Sequence, residues 1–178
     1  MKNKILSLIL FLSAFTQGFS QSFVFPAIQE YGGVIEVPFE VEKPDPTKKY
    51  KLVVELGNKL KSKEEVGEDL DYAARMYNLH VYAGVPAENI ELALVIFSGS
   101  TPLVLSNKEY QKRFGLPNPN AALLEEFQRN GVQVIVCGQS MMKQNLVPEM
   151  IYPGVRLAAS RFTATTDLTQ KGYQVIVL

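Results

Sequence analysis

The sequence predicts an α/β protein: a three-layer α/β/α sandwich on a mainly parallel five-stranded sheet, preceded by an extended N-terminal arm. Three observations carry that expectation. From Tyr50 onward, short apolar runs alternate with longer helical patterns. One of those runs, residues 132–136, is nearly all apolar and β-branched, as a strand covered on both faces requires. The length of 178 residues, 47% of them hydrophobic, suffices for one domain but not for two once a leader is removed.

Taken in order, residues 1–20 have the layout of a cleaved signal peptide. Lys2 and Lys4 precede the apolar run 5–15, and small or polar residues follow around Gly18 and Ser20. The run is too short to cross a bilayer with ~30 Å of hydrocarbon. The expectation is therefore an exported protein, periplasmic in a Gram-negative cell, with no membrane segment in its mature form. Residues 21–49 form the arm. Pro26, Pro38, Pro44 and Pro46 disfavour helix there, and Gly32-Gly33 suggests a short hairpin.

Residues 50–178 form the domain proper. The expected strands are 52–56, 90–97, 132–136, 155–159 and 173–178. Between them, residues 64–81 place Val66, Leu70, Ala73 and Tyr77 on one helical stripe. Glu64, Glu65, Glu68 and Asp69 crowd its start, where the helix dipole favours them; they read as solvated charges rather than as an acid/base pair. Further helices are expected over 107–114, over 120–130 with Asn120 as cap and Gly131 as stop, and over 162–171. Strands alternating with helices imply right-handed crossovers.

Composition excludes several function classes. Lys plus Arg and Asp plus Glu are equal at 18 each, and loss of Lys2 and Lys4 leaves a mature charge of −2, which disfavours a nucleic-acid partner. One Cys and one His cannot build a structural zinc site or an internal disulfide. No Gly-rich phosphate loop or nucleophile elbow occurs, and Met141-Met142 reads as packing rather than copper binding, so no cofactor or metal is expected.

What remains is the turn Val136-Cys137-Gly138-Gln139-Ser140. In open α/β sheets, ligands gather at the carboxyl ends of the strands, and Cys137 stands at one. A helix expected over 139–145 would direct free N–H groups at the sulfur and stabilise its thiolate. The same edge should gather Gly57 and Asn58, the loop Ser98-Gly99-Ser100 with Thr101, and Ser160 with Arg161. The Ser98–Ser100 loop could offer N–H groups to an anion. The Arg161 guanidinium could lower the thiol pKa or hold an anionic sulfur species; its other reading is a solvated surface side chain. A reactive thiol and a buried core filler remain alternative readings of Cys137. His80, at the far end of the first helix, belongs to the opposite sheet edge, ~17–20 Å away, and should not form a dyad with Cys137.

The stretch GVQVIVCGQSMMKQNLVPEMIYPGVRLAASRFTATTDLTQKGYQVIVL, with the earlier YGGVIEVP and YKLVVEL, resembles the exported branch of the DsrE/DsrF-like family over about residues 26–178. Its most specific element is a strand ending in Cys-Gly, then a polar pair, a helix and Pro-Gly-Val. The resemblance implies a parallel α/β sandwich, assembly into trimers or hexamers, and a Cys matching Cys137 that carries a persulfide between sulfur donor and acceptor proteins. Lys143-Gln144-Asn145 departs from the Ala-Arg-Gly run common there, and Asn145 can supply the left-handed turn. The expected function is sulfur relay through Cys137, as a sulfurtransferase-like carrier. The alternatives are a non-catalytic homo-oligomeric assembly module whose arm clasps a neighbour, and a redox sensor with an intersubunit Cys137 disulfide.

Overall fold

The computed structural model describes residues 22–178, so the expected signal peptide lies outside the described residues. The arm begins with two short antiparallel strands, β1 (Phe23–Val24) and β2 (Val34–Ile35). They pair as a hairpin does, but Gly32-Gly33 leads into β2 instead of forming a tight turn, and residues 25–33 make the connection. The cause is contact with the body of the protein. Gly32 adopts φ +61°, and a Cβ there would collide with the Arg75 backbone, so the arm lies directly on the first helix.

The body follows the order β3 (Tyr50–Leu56), α1 (Glu68–Tyr82), β4 (Ile90–Ile96), α2 (Asn107–Phe114), α3 (Ala121–Arg129), β5 (Gln133–Cys137), α4 (Gly138–Lys143), β6 (Arg156–Ala158), α5 (Arg161–Gln170) and β7 (Gln174–Ile176). The five body strands are all parallel, in the spatial order β6-β5-β4-β3-β7. The expected fold class is the one observed. Since β6 and β7 are the two edges, α5 carries the chain from one side of the sheet to the other.

The alternation of side chains along each strand builds two unequal cores. Leu52, Val54 and Leu56 of β3, with Leu92, Leu94 and Ile96 of β4, face Leu70, Ala73, Ala74 and Tyr77 of α1 and Leu123, Leu124 and Phe127 of α3. Val53, Ala93, Val95 and Ile135 face the other way and meet Ala164 and Leu168 of α5 and Tyr173, with half-buried Ala158 of β6 beside them. Complete burial of each such Val or Leu side chain stabilises the fold by ~1.5–3 kcal/mol.

Several boundaries differ from expectation for identifiable reasons. Helix α1 starts at Glu68 rather than residue 64, because Ser62 and Glu64 bond within their own turn and the Gly67 N–H donates to Asn120 Oδ1 at 2.7 Å. Asn120 accordingly does not cap α3 with its side chain. The segment after β4 is a 3-10 helix, Ser98–Val104, rather than an open loop. Helix α2 matches its expected span; the Ser106 hydroxyl caps it by accepting from the Glu109 N–H, and Gly115 at φ 82° ends it. Helix α5 begins with a capping box between Ser160 and Thr163.

Among the described residues, no helix is long and apolar enough to cross a membrane, and no group of three or more His, Cys, Asp or Glu side chains is placed to hold a metal ion.

Candidate functional site

Cys137 ends β5, at the carboxyl edge of the sheet, and α4 begins at the next residue. Helix α4 spans Gly138–Lys143, shorter than the expected 139–145, and puts Gly138 in its first turn. Asn145, at φ 53°, makes the left-handed turn after it. The first N–H groups of a helix have no partner within it. In this chain those of Gln139 and Ser140 turn toward the Cys137 sulfur.

A third donor comes from another element. Arg161 is the first residue of α5, and its backbone N–H also faces the sulfur. Two helix starts therefore converge on one atom. Gly138 makes this convergence possible, since a Cβ at that position would stand 2.9 Å from the Ala158 carbonyl oxygen at the end of β6. The Ser140 hydroxyl is the fourth donor. Its oxygen accepts the Ser98 N–H at 2.9 Å, which leaves the hydroxyl proton for the sulfur.

These contacts decide the thiol's ionisation. Burial is the largest single influence and opposes the charged form, but the Ser140 hydroxyl and the N–H groups of Ser140, Arg161 and Gln139 together outweigh it. The thiol pKa falls below its ordinary value. Cys137 is 4% exposed, more enclosed than a residue at an open sheet edge. It is not sealed in hydrocarbon, because it lines a pocket of about 630 Å3. Ser98, Gly99, Gln139 and Ser140 share that pocket, and exposed Lys143 and Phe162 stand beside them.

The guanidinium of Arg161 does something other than expected. It is neither a free surface charge nor aimed at the sulfur. Its Nη1 donates to Glu55 Oε2 at 3.0 Å, and its plane sits 4.3 Å from the ring centroids of both Phe97 and Phe162. Glu55 accepts a second bond from Thr165 Oγ1 at 2.6 Å. Sequence reasoning missed Glu55, Phe97 and Phe162. Their link to Arg161 joins β3, the end of β4 and α5, and no local pattern announces it.

Asn58 and Ser100 belong elsewhere. Ser100 is buried and donates through its hydroxyl to the Asn58 carbonyl at 2.8 Å, while Asn58 Nδ2 donates to Asp69 at 3.1 Å. Both line a second pocket of about 970 Å3 beside the start of α1. Gly99 lines the Cys137 pocket, but its N–H donates to the Gly57 carbonyl at 3.2 Å rather than being free for an anion. The Ser98 carbonyl accepts from Gln144 Nε2 and from the Thr101 hydroxyl, both at 2.9 Å, which pins this segment against α4.

His80 stands at the other edge. Its Nδ1 bonds the Met76 carbonyl at 2.8 Å, and its ring lies 5.6 Å from that of Tyr50, the first residue of β3. Cys137 is the last residue of its strand, so the two belong to opposite ends of the sheet. Of the methionine pair, Met141 is buried in the larger core as expected, whereas Met142 is 72% exposed.

Comparison with solved structures places this arrangement in context. A protein of unknown function, MTH1491, from Methanobacterium thermoautotrophicum aligns with a TM-score of 0.53 at 15% identity, over 72% of this chain and 99% of its own. The ychN protein of E. coli aligns with a TM-score of 0.54 at 15% identity, with the same coverage of 72% and 99%. At that identity the likeness is one of fold. No curated protein matches the chain. The model of the DsrE/DsrF-like family matches residues 48–178, from just before β3 through the C-terminal residue and including Cys137 and both helix starts that face it. The chain thus belongs to the DsrE/DsrF-like family.

Proposed function

We propose that the protein is a sulfur carrier in which Cys137 holds sulfane sulfur as a persulfide. Membership in the DsrE/DsrF-like family suggests a relay-type role. The observation that carries the reading is the convergence of two helix starts and the Ser140 hydroxyl on the Cys137 sulfur, at a pocket rather than in a dry core. Donors held around a sulfur stabilise its anion, and the thiolate is the nucleophilic form. In the uptake step the Cys137 thiolate attacks the outer sulfur of a donor persulfide. A new S–S bond forms at Cys137 as the donor's S–S bond breaks, and the electron pair leaves with the donor thiolate. Delivery to an acceptor thiolate is the same exchange in the other direction. No metal, cofactor or external oxidant enters.

The proposal extends to setting. Lys2, Lys4 and the apolar run 5–15 support export to the periplasm with a cleaved signal. Assembly into a trimer or hexamer would draw on the exposed apolar side chains Leu157 and Phe162 at the β6 edge and Val175 at the β7 edge. Donor and acceptor proteins would be the transient partners.

Incubation of the purified protein with inorganic polysulfide, followed by intact-mass measurement, tests the carrier. The expected product is an adduct of about 32 Da that reducing agent removes and Cys137→Ser abolishes. Absence of that adduct on the wild-type protein overturns the reading. The near-complete burial of Cys137 favours one competing account, an assembly module in which the sulfur only fills space. That account expects an inert thiol and an unchanged oligomer in Cys137→Ser.

A further inference from the structure

The Arg161 side chain is held more firmly than a helix-start arginine needs to be. Glu55 accepts from its Nη1 at 3.0 Å, the guanidinium Cζ lies 4.3 Å from the ring centroids of both Phe97 and Phe162, and Glu55 is itself fixed by Thr165 Oγ1 at 2.6 Å. Glu55 lies one residue before the end of β3, and Arg161 opens α5, so the link ties an inner strand of the sheet to the helix that crosses it. The side chains of Arg161 and Glu55 are 32% and 27% exposed, which leaves the pair only partly screened by solvent. Arg161 lines the same pocket as Cys137, which pairs with Ala158, three residues before Arg161, and the Arg161 backbone N–H favours the thiolate form of that sulfur. A helix start carries no side-chain anchor of its own other than its cap, and the capping box here, Ser160 with Thr163, orients the turn without fixing it to the sheet.

We propose that Glu55 is a positioning residue: by holding the Arg161 guanidinium against the rings of Phe97 and Phe162, it keeps the start of α5 in register with the end of β5 and the Arg161 backbone N–H beside the Cys137 sulfur. This deepens the carrier reading of the same pocket and assigns Glu55 no contact with the sulfur. The charge of Glu55 and its geometry pull in opposite directions. Removing a nearby negative charge makes a thiol more acidic, whereas losing an aligned N–H makes it less acidic. Neutralisation therefore separates alignment from simple electrostatics.

The experiment measures the rate of Cys137 alkylation by iodoacetamide against pH, for the wild type, Glu55→Gln, Arg161→Lys and Thr165→Val. The charged groups around the sulfur are Arg161 on α5, Lys143 on α4 and, behind Arg161, Glu55 on β3. Glu55→Gln leaves the first two in place. Arg161→Lys keeps the charge but loses the flat group that packs against both rings. Thr165→Val removes one anchor of Glu55 and keeps every charge.

The expected result is a profile displaced to higher pH in Glu55→Gln and Arg161→Lys, with alkylation at pH 7 slowed about three- to tenfold. Thr165→Val should shift in the same direction by less. A Glu55→Gln profile that is unchanged or displaced to lower pH overturns the proposal. If Glu55→Gln does not fold, Thr165→Val and Arg161→Lys decide, and unshifted profiles in both overturn it. The outcome is independent of sulfur uptake. A displaced profile in a protein that forms no persulfide keeps the positioning role and discards the carrier, and a wild type that forms persulfide with an unmoved Glu55→Gln profile does the reverse.

Discussion

Two buried polar groups, one under the arm and one at the end of β5, are treated in opposite ways. Asn78 of α1 is fully buried and fully used. Its Oδ1 accepts the N–H groups of Ala27 and Ile28 at 3.1 and 2.8 Å, and its Nδ2 donates to the carbonyls of Ile28, Tyr31 and Gly32 at 3.0–3.1 Å. Every polar valence of that amide is spent on holding the arm, as burial away from water demands. Cys137 is nearly as enclosed, but a neutral thiol needs little from its surroundings. The N–H groups of Gln139, Ser140 and Arg161 and the Ser140 hydroxyl nevertheless favour its anion strongly enough to outweigh burial. A saturated buried group marks architecture. A buried group offered more donors than its neutral form can use marks chemistry.

The largest expected effect lies on the architectural side. Asn78→Ala strands two N–H groups and three carbonyls under the arm and should cost about 3 kcal/mol of stability, read as a lowered midpoint in denaturant. It should also make residues 23–49 sensitive to protease while leaving the alkylation profile of Cys137 unmoved. A shift in that profile would mean that the two regions communicate.

On the chemical side, Ser140→Ala should do the opposite. It removes the hydroxyl donor to the sulfur and the acceptor of the Ser98 N–H. The thiol pKa should rise, slowing alkylation at pH 7 about three- to tenfold, for a stability cost near 1 kcal/mol. A large loss of stability with unchanged reactivity would make Ser140 another Asn78.

The smallest effect is a pH dependence of stability. The thiol pKa is lowered in the folded state, so the folded protein releases this proton at a lower pH than the unfolded chain does. The resulting stabilisation, measured relative to Cys137→Ala, is fully present above the unfolded thiol value of ~8.5 and is lost as pH falls through the folded value. A gap between the two proteins that widened on acidification would contradict the direction of the shift.

Much of the scaffold was legible because it depends on local pattern. The run 132–136 had to be a strand covered on both faces, and Asn145 could make the turn that Gly often makes. The position of Cys137 followed from the change of period between strand and helix. What could not be read depends on pairs distant in sequence. Glu55 and Arg161 are 106 residues apart, and nothing near either one names the other. Residues sharing an edge were easier to foresee than residues sharing a pocket: Asn58 and Ser100 lie at the correct end of the sheet, yet the Ser100–Asn58 bond turns them into a neighbouring cavity. The start of α1 was misplaced for a similar reason, since Gly67 answers to Asn120 rather than to a local cap.

The path of α5 also sets a dependency. Cys137 comes earlier in the sequence than the helix that supplies its last donor, and that helix spans the sheet from β6, beside β5, to β7, beside β3. Without α5 docked, Cys137 loses the Arg161 N–H and its thiol moves toward the ordinary value. The lowered pKa requires α5 in place, so the acidity of the sulfur depends on the same docking that joins the two edges of the sheet.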